Sequence, residues 1–247
     1  MNNQKGLFFP KTNLPGSNQM AMDIMMLEKA RKESDITFAL RFYTWEGDWL
    51  SIGKNQKRLP KHWLELVKDR RIRIVRRPSG GSAVLHSGGM TYSLIWLNPP
   101  RKKLEAYYLA SQWLIEGFSK LGVPLKFGVE TTNLTEEGCF ATSTPSDLVD
   151  SQGNKRIGSA QFWSKGNLLQ HGEILLNPPS KLWLKLFKSK VPKPTTISFI
   201  PQEDLEQHLH ESCCKFWSHV KWKNVEFTKI ELDQISTNST KYLLENN

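Results

Sequence analysis

The sequence predicts an α+β fold in which helices flank an antiparallel or mixed β-sheet core. Two segments, residues 17–34 and 101–121, carry apolar side chains at helical spacing. Alternating or continuously apolar runs, which are typical of strands, lie between them. After the second helix, three strand-like runs are separated by glycine turns at residues 152–154 and 165–167, the pattern of an antiparallel meander.

The first part of the chain predicts a helix, two strands and a short helix. Met20, Ile24 and Leu27 form the apolar stripe of the helix at residues 17–34. Residues 37–43 alternate like a strand, and residues 49–53 form a second one. Pro60 opens a short helix that runs to about residue 70, since proline suits the first helical turn.

The segment from Arg73 to Trp96 is the part around which the chain is organised. Its apolar residues alternate on both sides of Gly80 and Gly81, which predicts a β-hairpin closed by a glycine turn. Glycine also lets a ligand approach backbone N–H groups closely, and the two arginines entering the turn are donors suited to phosphate or carboxylate. An ordinary hairpin with solvated arginines is the alternative. Residues 90–97 are continuously apolar, which predicts a central strand buried on both faces.

The second half predicts one further helix, the meander and a helical end. A helix at residues 101–121 and a short strand at 125–129 precede a polar, turn-rich loop at 131–144. The meander strands are residues 147–150, 156–163 and 168–176, and helices follow at 181–187, 202–217 and from about 232, with a strand at 222–227. Residues 188–198 look like an exposed connection. We expect one domain over residues 1–247, with a helical C-terminal extension from about 202 and no separate accessory domain.

Composition limits the function classes. The 247 residues carry a formal charge of +10, which suits an acidic partner: nucleic acid, an anionic membrane or an acidic carrier protein. The basic residues look scattered, which disfavours nucleic acid. No apolar run is long enough to span a membrane, and the N-terminus lacks a secretory pattern. The three cysteines are an odd number with no zinc spacing, which favours free thiols in a reducing cytoplasm.

Several residues are candidates for chemistry, each with an ordinary structural alternative. Cys139 lies in the polar loop, where it is either a nucleophile or a small buried hydrophobe. Lys155 precedes a Gly-Ser-Ala at 158–160, where backbone could approach a ligand. His171 precedes Gly172 in the middle of a strand, where glycine weakens the sheet unless something needs the space.

Taken together, these stretches resemble a known superfamily. R-R-P-S-G-G-S-A-V-L-H (residues 76–86), K-R-I-G-S-A-Q (155–161) and L-L-Q-H-G-E-I-L-L (168–176) are similar to motifs of the lipoate–protein ligase A and octanoyltransferase superfamily, whose catalytic domain is shared with biotin protein ligases. N-Q-M-A-M-D (18–23), the segment from Arg41 to Gln56 and T-K-Y (240–242) match as well. The biotin branch is disfavoured, since its G-R-G-R-x-G-R-x-W pattern is absent.

The resemblance implies protein lipoylation, with two chemistries open. Because C-F-x-x-x-x-P-S-D-L resembles the cysteine-dependent octanoyltransferases, we expect Cys139 to carry octanoate as a thioester taken from acyl carrier protein, without a cofactor. Lys155 would then contact the acyl carbonyl or deprotonate the incoming lysine. The expected acyl-binding residues are Arg76, Ser79, Gly80, Gly81, His86, Gly158, Ser159, Ala160 and His171. No metal site is expected for this chemistry.

Other functions are also compatible with the sequence. The runner-up is a lipoate–protein ligase that uses ATP and Mg²⁺ to form an acyl-adenylate and does not need Cys139. A non-catalytic paralogue that binds carrier domains and a nucleic-acid binder are lesser alternatives. The implied partners are acyl carrier protein and the lipoyl domains of 2-oxoacid dehydrogenases or the glycine cleavage H protein. We expect a cytoplasmic monomer.

Overall fold

A computed structural model describes residues 4–129 and 147–244 and contains a large mixed sheet of eight strands. The strands lie in the order β11-β1-β2-β6-β10-β9-β8-β7. Their bounds are β1 (Lys5–Leu14), β2 (Ile36–Trp45), β6 (Met90–Trp96), β7 (Lys126–Phe127), β8 (Leu148–Val149), β9 (Lys155–Ser164), β10 (Asn167–Ile174) and β11 (Lys221–Asn224). β6 lies between β2 and β10 and its side chains from Met90 to Ile95 are buried, which confirms the predicted central strand. The predicted meander is also confirmed, since β8, β9 and β10 pair antiparallel in sequence.

Six helices surround the strands in the described part of the chain. They are α1 (Gly16–Lys32), α2 (Lys61–Lys68), α3 (Lys103–Lys120), α4 (Ser180–Phe187), α5 (Gln202–Phe216) and α6 (Lys229–Ser239), with 3₁₀ turns at Thr196–Phe199 and Thr240–Tyr242. Among residues 4–129 and 147–244, no helix combines the length and apolar character needed to cross a membrane.

The two faces of the large sheet pack against different helices. On one face, Phe42, Tyr92 and Leu94 join Trp113 of α3 and Leu209 of α5 in the largest hydrophobic core. On the other face, smaller clusters pack the sheet against α1 through residues such as Ile95 and Leu27. The α1 face also carries polar side chains, described below.

A second sheet of three strands corrects the hairpin prediction. β4 (Arg73–Arg76) and β5 (Val84–His86) do not pair with each other; both flank β3 (Trp49–Ile52), in the order β4-β3-β5. β4 pairs with β3 in parallel and β5 pairs with it antiparallel. The alternation of apolar and polar residues predicted β4 and β5 correctly, but such a pattern does not show which strand each one pairs with. Here β3 pairs with both of them.

Strand β1 is the element that the sequence prediction missed. It pairs in parallel with both β2 and β11. Pro10 lies in the strand, and the register to β2 shifts between Phe9 and Thr12. A proline disfavours a ladder position, and here an irregularity in the pairing accommodates it.

The end of the chain differs in detail from the expected helical extension. β11 adds an edge strand to the large sheet, close to the predicted strand at 222–227. α6 begins at Lys229, three residues before the predicted start, because Thr228 and Glu231 form a capping box. The predicted exposed connection at residues 188–198 is wrong at its end, where Ile197 is fully buried in the largest core.

Candidate active site

The α1 face of the large sheet carries two rows of aligned residues. Strand pairing places each row across β2, β6, β10 and β9, and members of the two rows are two residues apart on each strand, so all point to one face. The rows are Arg41, Ser93, His171 and Ala160, followed by Tyr43, Thr91, Glu173 and Gly158. The sheet therefore gathers buried polar groups beneath α1.

Asp23 of α1 organises the first row. Its carboxylate accepts hydrogen bonds from Arg41 Nη2 at 2.6 Å and from the Tyr43 hydroxyl at 3.1 Å, and it lies 2.8 Å from His171 Nδ1. Burial alone would raise the pKa of Asp23, but Arg41 and His171 together outweigh it and lower that pKa. The ionised carboxylate therefore holds Nδ1–H of His171 and leaves Nε2 directed at the Ser79 hydroxyl, 2.6 Å away.

Glu173 organises the second row in the same way. Its Oε2 lies 2.7 Å from His86 Nδ1 and accepts a 2.5 Å hydrogen bond from the Thr91 hydroxyl. His86 Nε2 lies 2.8 Å from Ser51 Oγ, and the ring stacks on Trp45 with centroids 3.8 Å apart. Burial lowers the pKa of His86 despite the neighbouring Glu173, so the imidazole is neutral near pH 7.

The glycine loop between β4 and β5 is closed by Arg77. Its guanidinium donates to the carbonyls of Gly80 at 2.6 Å and Ser82 at 2.8 Å, and to the carbonyl of Ser51 on β3 at 2.9 Å. Arg76 points elsewhere and donates to the carbonyls of Gly53 and Gln56, at 3.0 and 2.8 Å. Both arginines thus hold the backbone of the surrounding loops through hydrogen bonds. The sequence had suggested guanidinium groups available to a ligand.

A cavity of about 410 Å³, part of it open to solvent, lies between the glycine loop, α1 and the two rows. Most of its surface is apolar. The residues that line it are Met20, Tyr43, Trp45, Ser51, Arg77, Gly81, Val84, His86, Thr91, Gly158, Ser159, Ala160, His171, Gly172 and Glu173. A small, largely apolar cavity with a few convergent polar groups is the expected form of a ligand site.

The side chains on the neighbouring strands explain why residue 172 is a glycine. A Cβ at this position would lie 2.6 Å from both Ser159 Oγ and Tyr92 Cε1, on the adjacent strands. The Tyr92 hydroxyl bonds to Ser159 Oγ at 2.8 Å and accepts from Gln170 Nε2 at 2.9 Å. Burial raises the pKa of Tyr92 to about 12, so the phenol stays protonated where it contacts Ser159, which lines the cavity.

Lys155 forms a buried ion pair beside the cavity. Its Nζ lies 2.9 Å from Asp147 Oδ2, and both side chains are 3% exposed. By strand alternation Lys155 shares a face with Ile157 and Ser159, rather than with Gly158 and Ala160. Asp147 is the first residue described after the segment that carries Cys139.

Of the ten predicted site residues that the structure describes, seven come together at the cavity and three lie outside its lining. Gly81, His86, Gly158, Ser159, Ala160 and His171 line the cavity, and Ser79 contacts it through His171. Gly80 lies in the same loop next to Gly81, while Arg76 and Lys155 lie outside the lining. Cys139 lies outside the described residues. Cys213 and Cys214 are both free.

Sequence reasoning missed the residues that hold the two histidines. Asp23, Arg41 and Glu173 are fully or almost fully buried charges, and Arg77 replaces Arg76 at the cavity. A signal was present for Asp23, which follows Gln19 and Met20 along the buried stripe of α1. Arg41 similarly interrupts an apolar run of β2. A charge in an otherwise buried pattern indicates a buried partner.

This fold, with its cavity between a large mixed sheet and a small glycine-looped sheet, defines the class of lipoyl protein ligase catalytic domains. Residues 15–209 match the model of the lipoyl protein ligase A/B catalytic domain, and the chain belongs to this family.

Relatives of known name support the family. The chain is 38% identical over 193 residues to the octanoyltransferase LipM of Anoxybacillus flavithermus, covering 73% of this chain and 69% of the relative. It is 32% identical over 251 residues to the octanoyltransferase LipM of Staphylococcus aureus, covering 90% of each. Among solved structures, a lipoate-protein ligase A bound with ATP superposes with a TM-score of 0.75 at 18% identity, covering 96% of this chain and 95% of the other, which shows the shared fold.

Proposed function

We propose that this protein transfers an octanoyl group from acyl carrier protein to a lysine of a lipoyl domain, without ATP. The observation that carries the proposal is the small, mostly apolar cavity that the glycine loop and the β9–β10 strands enclose. Each buried CH₂ of an acyl chain contributes about 0.8 kcal/mol, so such a cavity favours a medium-length aliphatic chain. The relatives named octanoyltransferase agree with this substrate.

The chemistry proceeds in two balanced steps. The Cys139 thiolate attacks the thioester carbonyl of the carrier, forms an enzyme thioester and releases the carrier thiol, which takes up a proton. The amine of the acceptor lysine then attacks the enzyme thioester, forms the amide and regenerates the thiolate, with loss of a proton. No oxidant or reductant is needed, and the cysteine must stay reduced, in keeping with a cytoplasmic enzyme.

The described residues position the acyl group rather than attack it. His171, held by Asp23, fixes Ser79 and so anchors the glycine loop over the cavity. Neutral His86, held by Glu173, forms part of the wall and carries no charge into the apolar space. Backbone at Gly81 and Gly158 can approach the acyl carbonyl, because no Cβ intervenes.

Lys155 serves as the cation beside the reacting carbonyl in this proposal. Its partner Asp147 holds it at the start of β9, three residues before Gly158, which lines the cavity. A positive charge here favours the Cys139 thiolate and the oxyanion that develops during each attack.

The ATP-dependent ligase is the second candidate, because its solved representative shares the fold. That reading needs cations for nucleotide phosphates. The two arginines of the glycine loop instead donate to backbone carbonyls. The relatives named octanoyltransferase favour the transferase.

A transfer assay separates the two candidates. The protein is mixed with octanoyl-acyl carrier protein and an unmodified lipoyl domain or glycine cleavage H protein, and acceptor mass is followed without ATP. We expect the acceptor to gain one octanoyl group. Modification of the acceptor only with free lipoate, ATP and Mg²⁺ would show that the protein is a ligase. Binding of the lipoyl domain with no modification under either condition would indicate a non-catalytic paralogue.

We expect the protein to be a monomer, and light scattering on the same sample measures its oligomeric state.

A further inference from the structure

The positive charge of the chain is concentrated in two segments. Residues 54–77 and 178–193 together contain fifteen lysines and arginines and two acidic residues. The rest of the chain contains nineteen basic and twenty-two acidic residues. The formal charge of +10 therefore comes from these two segments, and the impression of scattered charge in the linear sequence is misleading.

The fold joins the two segments into one surface. α2 belongs to the first segment and α4 to the second, and the helices pack through a shared apolar cluster that includes Trp63, Leu66, Leu182 and Leu186. Trp63 Nε1 donates to the carbonyl of Leu186 at 2.9 Å. Most apolar residues of the two helices pack into this cluster, and thirteen of the fifteen basic side chains are exposed. We call these thirteen cations the basic face.

The cations of the basic face have no anionic partners within the described chain. Elsewhere, surface lysines pair with carboxylates, as Lys29 does with Glu231 at 2.9 Å and Lys223 with Glu33 at 3.6 Å. None of the thirteen forms an ion pair with a described carboxylate. Unpaired like charges repel, so this concentration favours the binding of an acidic partner.

The basic face borders the cavity. The backbone N–H of Lys54 donates to the carbonyl of Ser79 at 2.8 Å, which ties the turn after β3 to the glycine loop. A Cβ on Gly53 would lie 2.0 Å from the carbonyl oxygen of Gly81, a residue that lines the cavity. The start of the basic face is thus in backbone contact with the wall of the acyl site.

We propose that the basic face is the docking surface for the acidic acyl carrier protein that delivers the octanoyl thioester, an inference that rests on the proposed function. The donor is favoured over the acceptor because its prosthetic arm is attached through a phosphodiester, an anion that suits cations next to the cavity. A protein is favoured over nucleic acid because Leu64 on α2 and Leu184 on α4 are 43% and 54% exposed. Apolar side chains amid cations fit a protein interface.

Two matched charge reversals test the docking surface. Lys61→Glu with Lys185→Glu alters the first residue of α2 and a lysine in the last turn of α4. The control, Lys103→Glu with Lys215→Glu, alters the first residue of α3 and a lysine in the last turn of α5, outside the basic face. Both variants carry the same change in charge at equivalent helix positions.

We expect KM for octanoyl-acyl carrier protein to rise about tenfold in the Lys61/Lys185 variant and to change less than about twofold in the control. Turnover of the octanoyl thioester of N-acetylcysteamine, which has no carrier domain, verifies that the site is intact in both. Equal KM values in the two variants would overturn the inference while leaving the transferase intact. A rise only in the KM for the lipoyl domain would mean that the basic face binds the acceptor instead of the carrier protein, which would also overturn the inference.

Direct binding separates this inference from the proposed function. Binding of unacylated carrier protein, followed by fluorescence anisotropy, requires no chemistry. Weakened binding in the Lys61/Lys185 variant alone supports the docking surface even if the wild type fails to transfer octanoate. The inference would be overturned in favour of nucleic acid if the wild type bound duplex DNA but not the carrier protein, and if the Lys61/Lys185 variant lost the binding of DNA.

Discussion

Asp23 is the residue on which the first histidine depends. Its carboxylate is fully buried and contacts Arg41, Tyr43 and His171, so one side chain of α1 holds three residues of the sheet. A buried charge pair is costly to break, because removal of one partner leaves the other charge without compensation. The network therefore couples the position of α1 to the orientation of the cavity histidine.

Asp23→Asn should destabilise the protein by about 3 kcal/mol at pH 7, since Arg41 keeps a buried charge without a carboxylate. The free energy of unfolding in urea measures this. The control is Glu28→Gln, which removes the exposed partner of Arg31 and should cost less than about 0.5 kcal/mol. Equal losses for the two variants would contradict the role given to Asp23.

The same substitution has a defined pH dependence. The pKa of Asp23 is lowered in the folded state, so its ionised form contributes stability above its unfolded pKa of about 3.9. That contribution is lost as the pH falls through the lower folded pKa. The difference in stability between the wild type and Asp23→Asn should therefore be constant from pH 7 to 5 and shrink below about pH 4.

His86 should make the protein less stable in mild acid. Burial lowers the pKa of His86, so the unfolded chain binds a proton more readily as the pH falls below about 6.5. His86→Asn removes the titrating ring and keeps an N–H near the position that faces Glu173. Urea unfolding between pH 7 and 5 should show a shallower loss of stability in this variant, and parallel curves would refute the assignment.

At the scale of elements, strand β10 depends on a glycine for its place between β6 and β9. Gly172→Ala should destabilise the fold by about 1–3 kcal/mol, because the added Cβ meets Tyr92 and Ser159 at 2.6 Å. Gly80→Ala is the matched control, since a Cβ there meets nothing within 4 Å. Thermal unfolding compares the two, and a tolerated Gly172→Ala would mean that the neighbouring strands yield.

Most elements could be predicted from the sequence because their periodicity is local. α1, α3, β6 and the β8–β10 meander carry their own apolar patterns. β1 was missed because Pro10 and several polar residues hide a strand that is stabilised by two parallel neighbours. The hairpin was wrong because β3, more than twenty residues earlier in the chain, takes both strands as partners.

The site was predictable only where a motif stands in the sequence. The glycine loop and the Gly-Ser-Ala of β9 were found in this way, and they line the cavity. The pairs Asp23–His171 and His86–Glu173 span 148 and 87 positions, so they exist only through the packing of α1 and the two sheets. No spacing within the chain encodes such contacts.

On the scale of the whole molecule, the cavity lies between the two sheets, and its depth should set the preferred acyl chain. Hexanoyl donors bury two fewer CH₂ groups than octanoyl donors, a difference of about 1.6 kcal/mol, or about fifteenfold in kcat/KM. Ala160→Val, which adds bulk at the cavity wall, should shift the preference toward hexanoyl. N-acetylcysteamine thioesters of both acids provide the measurement, and an unchanged preference in the variant would place the chain elsewhere.

The central claim is octanoyl transfer through a cysteine thioester, and intact-protein mass spectrometry tests it most directly. The wild type, Cys139→Ala and Cys214→Ala are each mixed with octanoyl-acyl carrier protein without ATP. Cys214 is a partly exposed free thiol outside the cavity lining, so its variant controls for nonspecific acylation. We expect a gain of one octanoyl group on the wild type and Cys214→Ala, and none on Cys139→Ala. An adduct that survives in Cys139→Ala, or no adduct on any of the three, would contradict it.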